Sequence, residues 1–395
     1  MPEIRLLELR NTYKWGGGPD KTILLSAQRH DRGRVYPVVA YVRDVRDTEF
    51  KITAKAKAMG LHYHEIPERG KFDLRVPRAL REIVLREDIN LIHSHDYKTD
   101  LFAYLVALWV GRHRVGLIST AHAWVMLGRK GELYRRLDLR LMRRFDHLIA
   151  VSSATKEEMM QAGVPGRKIT VIHNGIDTEA WAREKVRGTL REELGLGSAY
   201  PVIGYVGRIM PEKDLDSWLR AAAMVARTYP AARFLLVGEG KDGETQTGLQ
   251  SLIGHLGIAH QVTFVGYRTD LPSVYAAFDL FVLSSLREGL PNSILEAMAL
   301  GVPVVTTDVA GAKELVVHGQ TGYVVPQKDP EQLAQAMLEI LANDERRLNM
   351  GRAGRKRVEA EFSFDRRLRL VEDLYSQVIQ AKFGAAQSSV TAIGY

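Results

Sequence analysis

The chain has 395 residues, 46% hydrophobic and 26% charged, with a formal charge of +8 and no cysteine. At about 150 residues per domain this allows two or three ordinary soluble domains. Missing cysteine excludes disulfides, Cys-ligated zinc or iron–sulfur centres and a thiol nucleophile. The apolar run Leu101 to Gly111 falls far short of the ~20 residues that span a membrane. The start Met1 to Arg5 has no apolar signal-peptide core, so a cytoplasmic protein is expected. Charge is unevenly placed: through Lys185 there are 33 basic and 23 acidic residues (+10), leaving 22 and 24 (−2) for the remainder.

In chain order, apolar strand candidates fall at Ile4–Leu9, Val35–Tyr41, Leu91–His93, Val115–Ser119, Leu148–Val151 and Ile169–Ile172. Helical periodicity falls between them, around Asp20–Gln28, Glu49–Ala58, Val76–Arg86, Thr99–Val110, Gly131–Phe145 and Thr155–Ala162, the last opening on a capping-box spacing from Thr155 to Glu158. The scheme repeats with strand candidates Val202–Val206, Arg233–Val237, Val262–Val265, Leu280–Leu283, Val302–Thr306 and Gly322–Val325. Helices are predicted at Leu215–Tyr229, Thr247–Leu256, Leu271–Ala277, Asn292–Leu300, Lys313–Val317 and Glu331–Ala342. Near-continuous apolar strands alternating with helices predict two α/β domains with parallel sheets. The boundaries read as 1–180 and 181–363, followed by an amphipathic helix over 364–383 and a small, polar, disordered tail over 384–395.

In open parallel sheets, ligands bind beyond the carboxyl ends of strands. The residues found there are Gly16-Gly17-Gly18, His93-Ser94-His95-Asp96, His122, Gly207-Arg208, and Ser284 through Gly289. Arg208 and Lys213 follow a strand and a glycine turn, an arrangement suited to a diphosphate: Arg grips phosphate oxygens bidentately and Lys adds a point charge. Glu288 precedes a helix that Asn292 is placed to cap, and Glu296 lies one turn inside it among apolar neighbours. The amides of Gly289–Ser293 form an anion site at the helix start, and the flanking carboxylates suit hydroxyl groups. No metal cluster is expected around the histidines, because the acidic partners are not placed around them. Asp214-Leu-Asp216 reads as helix-opening acids.

These segments resemble the GT-B glycosyltransferases of family 4, retaining enzymes that use nucleotide sugars. The resemblance covers nearly the whole chain. It rests on the E-x7-E pattern from Glu288 to Glu296, on Gly207-Arg208 with Lys213, and on His173-Asn-Gly-Ile-Asp177. It implies two facing Rossmann-like domains with an interdomain cleft, the first binding acceptor, the second binding donor, and the last helix crossing back to the first domain. It implies that Arg208, Lys213, Gly17 and Gly18 attend the donor diphosphate, and that Glu296 holds the ribose. Gly289, Leu290, Pro291 and Asn292 would contact sugar or phosphate. Glu288 and His122 would flank the reacting sugar, and His95, Asp96 and Lys98 are weaker candidates for the acceptor. Many members carry two glycines where Ala310-Gly311 stands.

The function so implied is metal-independent, retaining transfer of a hexose, with no cofactor. The donor would be a UDP-sugar in preference to a GDP-sugar, and the acceptor a glycan or lipid-linked saccharide of cell-surface polysaccharide or glycolipid synthesis. No nucleic-acid partner is expected. Arg129–Arg144 carries seven cations and two acids on an amphipathic pattern. That suits an anionic membrane surface and a peripheral place on the inner face. Rival enzymes of similar fold, an epimerase or a phosphorylase, would turn over without an acceptor. A binding module would show no affinity for nucleotide sugars.

Overall fold

A computed structural model of the chain describes residues 3–14, 16–70, 73–122, 128–197, 201–240 and 243–391. They divide into two compact units, within Met1–His173 plus Arg366–Tyr395 and within Asn174–Asp365.

The first unit runs β1 (Ile4–Asn11), α1 (Gly18–Arg29), β2 (Val35–Asp44), α2 (Ile52–Ala58), β3 (Tyr63–Glu68), α3 (Arg75–Arg86), β4 (Leu91–Ser94), α4 (Tyr97–Val110), β5 (Gly116–Ala121), α5 (Gly128–Met142), β6 (His147–Ala150), α6 (Ser153–Gln161) and β7 (Ile169–Val171). The second runs α7 (Leu190–Glu193), β8 (Val202–Val206), α8 (Leu215–Thr228), β9 (Arg233–Val237), α9 (Gly243–His255), β10 (Val262–Gly266), α10 (Leu271–Ala276), β11 (Leu280–Leu283), α11 (Asn292–Ala299), β12 (Val304–Thr307), α12 (Ala312–Leu315), β13 (Gly322–Val325), α13 (Pro330–Leu341) and α14 (Asp344–Glu361). Helix α15 (Phe364–Thr391) follows.

Both sheets are parallel throughout, in the orders β3-β2-β1-β4-β5-β6-β7 and β10-β9-β8-β11-β12-β13. Each order reverses once, between β1 and β4 and between β8 and β11, and such switch points open a crevice at the carboxyl ends of strands. Alternation sorts the first unit's core. Leu7, Leu9, Val38 and Ala40 pack with α3, α4, α5 and α6 on one face. Ile4, Leu6, Leu91 and Ile118 pack with Val371, Tyr375 and Val378 of α15 on the other. Helix α15 is thereby an outer layer of the first unit, although it starts at Phe364.

Several elements differ from the sequence reading. Strand β3 was not predicted, because His64, Glu65 and Pro67 break its apolar run; it lies at the sheet edge, where proline and polar residues are tolerated. Helix α14 lacks an apolar stripe and packs through small residues: a Cβ on Gly351 would stand 2.0 Å from the Gly301 oxygen. Helix α6 starts at Ser153, capped by the Ser152 hydroxyl on the Thr155 amide at 3.1 Å, ahead of the start expected at Thr155. Helix α15 runs on to Thr391, over the segment read as a disordered tail; the alanines and glutamine after Gly384 are good helix formers, and residues 392–395 lie outside the described residues. The first unit ends at His173 rather than 180. The reason is that Ile176 exchanges backbone hydrogen bonds with Phe362 and Phe364 of the second unit, and Gly175 leaves its Cβ position to Phe364 and Ser363, 2.9 Å away.

Candidate active site

In the second unit, β8 delivers Gly207 and Arg208 to the switch point. Gly207 fits because a Cβ there would stand 2.7 Å from the Tyr205 hydroxyl, which donates to the Arg208 carbonyl at 2.8 Å. Gly238, at φ +134, lies so near that a Cβ would meet the Gly207 oxygen at 1.9 Å, so the tips of β8 and β9 are closely apposed. The Arg208 side chain is exposed and has no hydrogen-bond or ion-pair partner among the described residues. Pro211–Lys213 forms a 3-10 turn, and Asp214 in the left-handed region (φ 47) caps α8 through the Ser217 amide. Asp216 pairs with Arg220 at 2.6 Å. The two acids of the D-x-D pattern thus serve the helix.

Across the switch point, β11 leads into the loop carrying Glu288. Its Oε1 accepts from Lys213 Nζ at 2.5 Å and from Ser285 Oγ at 2.8 Å. Ser284 Oγ donates to the Lys213 carbonyl at 2.8 Å, and the Leu286 amide to the Glu212 carbonyl, also at 2.8 Å. The loops after β8 and β11 are therefore one bonded assembly, with Lys213 and Glu288 only 13% and 16% exposed. Glu296, buried at 9% exposure, accepts from the Tyr275 hydroxyl at 2.8 Å. Burial and the adjacent Glu296 carboxylate push the Tyr275 phenol well above its ordinary pKa, so it stays a donor. Helix α11 opens at Asn292 after Pro291. The sequence predicts Asn292 as the cap; instead Pro291, in extended conformation, holds the cap position, Asn292 is the first helical residue, and its side-chain oxygen accepts from Asn174 Nδ2 at 2.8 Å. Gly311, at φ +73, is required by the same loop, because a Cβ there would stand 2.5 Å from the Gly289 oxygen.

In the first unit, strand alternation puts Glu8, His93, His95, Thr120 and His122 on the face covered by α15. Glu8 accepts from His95 Nε2 at 2.6 Å and from the Tyr375 hydroxyl at 3.2 Å. The His93 ring nitrogens reach Tyr375 at 2.6 Å and Thr120 at 2.7 Å, and His95 Nδ1 stands 3.3 Å from His122 Nε2. Burial opposes the charge on Glu8, but His93 and His95 outweigh it and hold the carboxyl well below its usual range. Burial lowers the His95 imidazole to about 3, and burial with the Arg10 charge lowers His122 as well. A carboxylate therefore does stand among these histidines, contrary to the expectation from linear spacing; it arrives from β1, far away in the chain.

The other first-unit candidates have internal partners. Both oxygens of Asp96 are engaged by backbone amides, Oδ1 by Lys98 and Thr99 at the start of α4 and Oδ2 by Asn11 at 2.9 Å. Lys98 Nζ is paired with the buried Glu68. Gly17 caps α1 and its amide donates to Asp20 at 2.6 Å; Gly18 begins the helix. Gly16 is the glycine that the turn demands, at φ +74 with Ile52 and Asp20 within 2.9 Å of a Cβ. Sequence reading assigned no role to Ser285, Tyr275, Asn174, Glu8 or Tyr375. Of these, Ser285 and Asn174 carried a local signal, inside the Ser284–Gly289 and His173–Asp177 segments.

Two family models match, Glycosyltransferase Family 4 over residues 17–180 and Glycosyl transferases group 1 over residues 186–357. The chain is 32% identical to the GDP-mannose-dependent alpha-(1-6)-phosphatidylinositol monomannoside mannosyltransferase of Mycobacterium tuberculosis, over 70% of this chain and 75% of that protein. It is 28% identical to the Escherichia coli UDP-Gal:alpha-D-GlcNAc-diphosphoundecaprenol alpha-1,3-galactosyltransferase, over 78% and 81%. Among solved structures, Anabaena HepE in complex with UDP and glucose superposes with a TM-score of 0.82 at 22% identity, covering 95% of this chain and all of that one. With two Rossmann-like parallel sheets and matches along both, the chain belongs to the family 4 glycosyltransferases, group 1 glycosyl transferases of GT-B fold.

Proposed function

We propose that this glycosyltransferase moves a hexose, with retention of anomeric configuration, from a nucleotide-diphosphate sugar to a glycan or lipid-linked acceptor, without a metal. The observation that carries the reading is the switch point of the second unit. There Arg208, without a partner among the described residues, follows the end of β8, the strand beside β11, whose loop completes the Lys213–Glu288–Ser285 assembly, with Glu296 one turn into the following helix. Departure of a nucleoside diphosphate builds negative charge on phosphate, and fixed cations with helix-start amides stabilise that charge. Lys213, held by Glu288, is oriented before the ligand arrives. Glu296 is an acceptor for ribose hydroxyls, Glu288 for sugar hydroxyls, and a leaving-phosphate oxygen takes the acceptor proton.

A UDP-sugar donor is favoured by the UDP-Gal-dependent relative and by the UDP-bound neighbour, and GDP-mannose by the mycobacterial relative. Thermal-shift screening of UDP, GDP, ADP, dTDP and CMP separates these readings. A nucleotide at 100-fold its Kd adds ~2.7 kcal/mol to stability; no shift with any nucleotide overturns the reading. Product anomeric configuration by NMR tests retention, and activity after EDTA treatment tests metal independence.

We further propose peripheral attachment to an anionic inner membrane face. Helix α5 exposes Leu133, Arg136, Leu137 and Arg140 at helical spacing, and α4 exposes Leu105, Leu108 and Trp109. No helix among the described residues is long and apolar enough to cross a membrane. Arg129 and Lys130, part of the same expectation, have side chains outside the described residues. Cosedimentation with anionic and with neutral vesicles tests this: equal or absent binding to both overturns it.

A further inference from the structure

Away from the transfer site, at the edge of the first sheet, His62 and His64 sit two residues apart at the start of β3. Alternation puts both rings on one face. Facing them is Glu87, the residue that ends α3. Its Oε1 stands 3.5 Å from His62 Nε2 and 3.8 Å from His64 Nε2, and one ligand atom from each of the three lies within 4.8 Å of the others. These separations are long for hydrogen bonds. They match the edges of a coordination polyhedron: two atoms each ~2.1 Å from a tetrahedral zinc ion stand roughly 3.4 Å apart.

Two further observations favour an ion. His64 Nε2 is buried without a hydrogen-bond partner. His62 Nδ1 bonds the Tyr36 hydroxyl at 2.9 Å, an outer contact that fixes the ring and leaves Nε2 facing Glu87. The frame is braced by Arg5, which stacks 4.7 Å over the Tyr36 ring and donates to the Glu87 carbonyl at 2.6 Å. The competing charge is Arg86, whose Nε is 3.2 Å from Glu87 Oε1 on a side chain 62% exposed and free to swing away. The buried Glu8–His93–His95 group has the same composition but not the same vacancy in bonding, because each of its ring nitrogens already has a protein partner.

We propose that His62, His64 and Glu87 bind a divalent first-row transition ion, zinc(II) by ligand set, with solvent completing the coordination. The ion would tie edge strand β3 to the end of α3. The proposal is independent of the donor chemistry.

The test uses full-length protein without a histidine tag, stripped with EDTA and dialysed against zinc(II). The expected result is about one ion per chain, and intense visible absorption when cobalt(II) replaces zinc. His62→Ala with His64→Ala removes uptake, and Glu87→Gln weakens it by about tenfold or more, while circular dichroism of the metal-free variants matches the parent. No uptake by the parent chain overturns the proposal. So does uptake undiminished in the double variant, which would point to Glu8, His93 and His95 instead. Should the double variant fold poorly, the cobalt spectrum of Glu87→Gln decides: bands unchanged in position and affinity overturn the site.

Discussion

The two switch points hold similar residue types in opposite states. In the first unit, Glu8, His93, His95, Thr120 and Tyr375 bond one another beneath α15, and Glu8, His93 and His95 are at most 4% exposed. In the second, Lys213 and Glu288 are paired but remain reachable, and Arg208 has no partner among the described residues. A charged cluster whose bonding is complete orders a fold; one with an open cation is ready for a ligand. Position at a switch point selects candidates, and the state of the bonding separates them.

Removing Glu8 should have the largest effect, on stability. Glu8→Ala leaves the buried His95 Nε2–H and the Tyr375 hydroxyl without their acceptor, each costing ~1–3 kcal/mol. Denaturant unfolding should show the loss, while nucleotide affinity of the second unit is unchanged. The same cluster sets a pH dependence. His95 titrates near 3 when folded but near 6.5 when unfolded, so between those values the unfolded chain binds the extra proton. Glu8, also depressed, adds to this below 4.5. Stability therefore falls as pH drops below ~6.5; a flat profile from 7 to 4 would sink the assignment of a neutral His95 beside an ionised Glu8.

Arg208→Ala is the converse experiment. Losing one fixed donor to a developing oxyanion costs ~10²–10³ in rate. An exposed side chain without a partner contributes little to folding, so Tm should stay within about a degree or two of the parent. Equal turnover in the variant would remove Arg208 from the site.

Much of this was legible before the structure. Apolar runs marked twelve strands beside the polar edge strand β3, and glycines with charges at their ends marked both switch points. What stayed hidden is long-range. Glu8 is separated from His93 by 85 residues and Tyr375 by more than 280, and only strand order brings them together. His95, Asp96 and Lys98 look like ligand contacts in the sequence because they follow a strand. Their partners, Glu8, the α4 amides and Glu68, show that all three also hold the first unit together.

Glu296→Gln probes the boundary between the two states, since this carboxylate is buried yet assigned to a ligand. The amide keeps an oxygen for the Tyr275 hydroxyl, so stability should change by less than ~1 kcal/mol. Ribose hydroxyls lose a charged acceptor, and a hydrogen bond to charge is worth ~1.5–3 kcal/mol. Titration calorimetry should therefore find the nucleoside diphosphate bound at least ~10-fold more weakly. Unchanged affinity would make Glu296 a structural partner of Tyr275, like Glu8 with Tyr375.

The smallest effect is expected at α5. Leu133 and Leu137 are 56% and 50% exposed, so replacing either with serine removes little from the fold. On a membrane each would bury a side chain worth ~1.5–3 kcal/mol at full burial, and a half-immersed helix realises only part of that. Leu137→Ser should weaken binding to anionic vesicles several-fold and leave turnover of a soluble acceptor intact. Arg136→Ser with Arg140→Ser should weaken it by ~1 kcal/mol per charge, an effect erased by high salt. If the leucine variant binds as the parent does while the arginine variant fails, the helix lies on the surface by charge without insertion. If neither changes binding, the exposed leucines and arginines are a solvated face, and unit 1 contributes its bonded cluster and nothing to membrane contact.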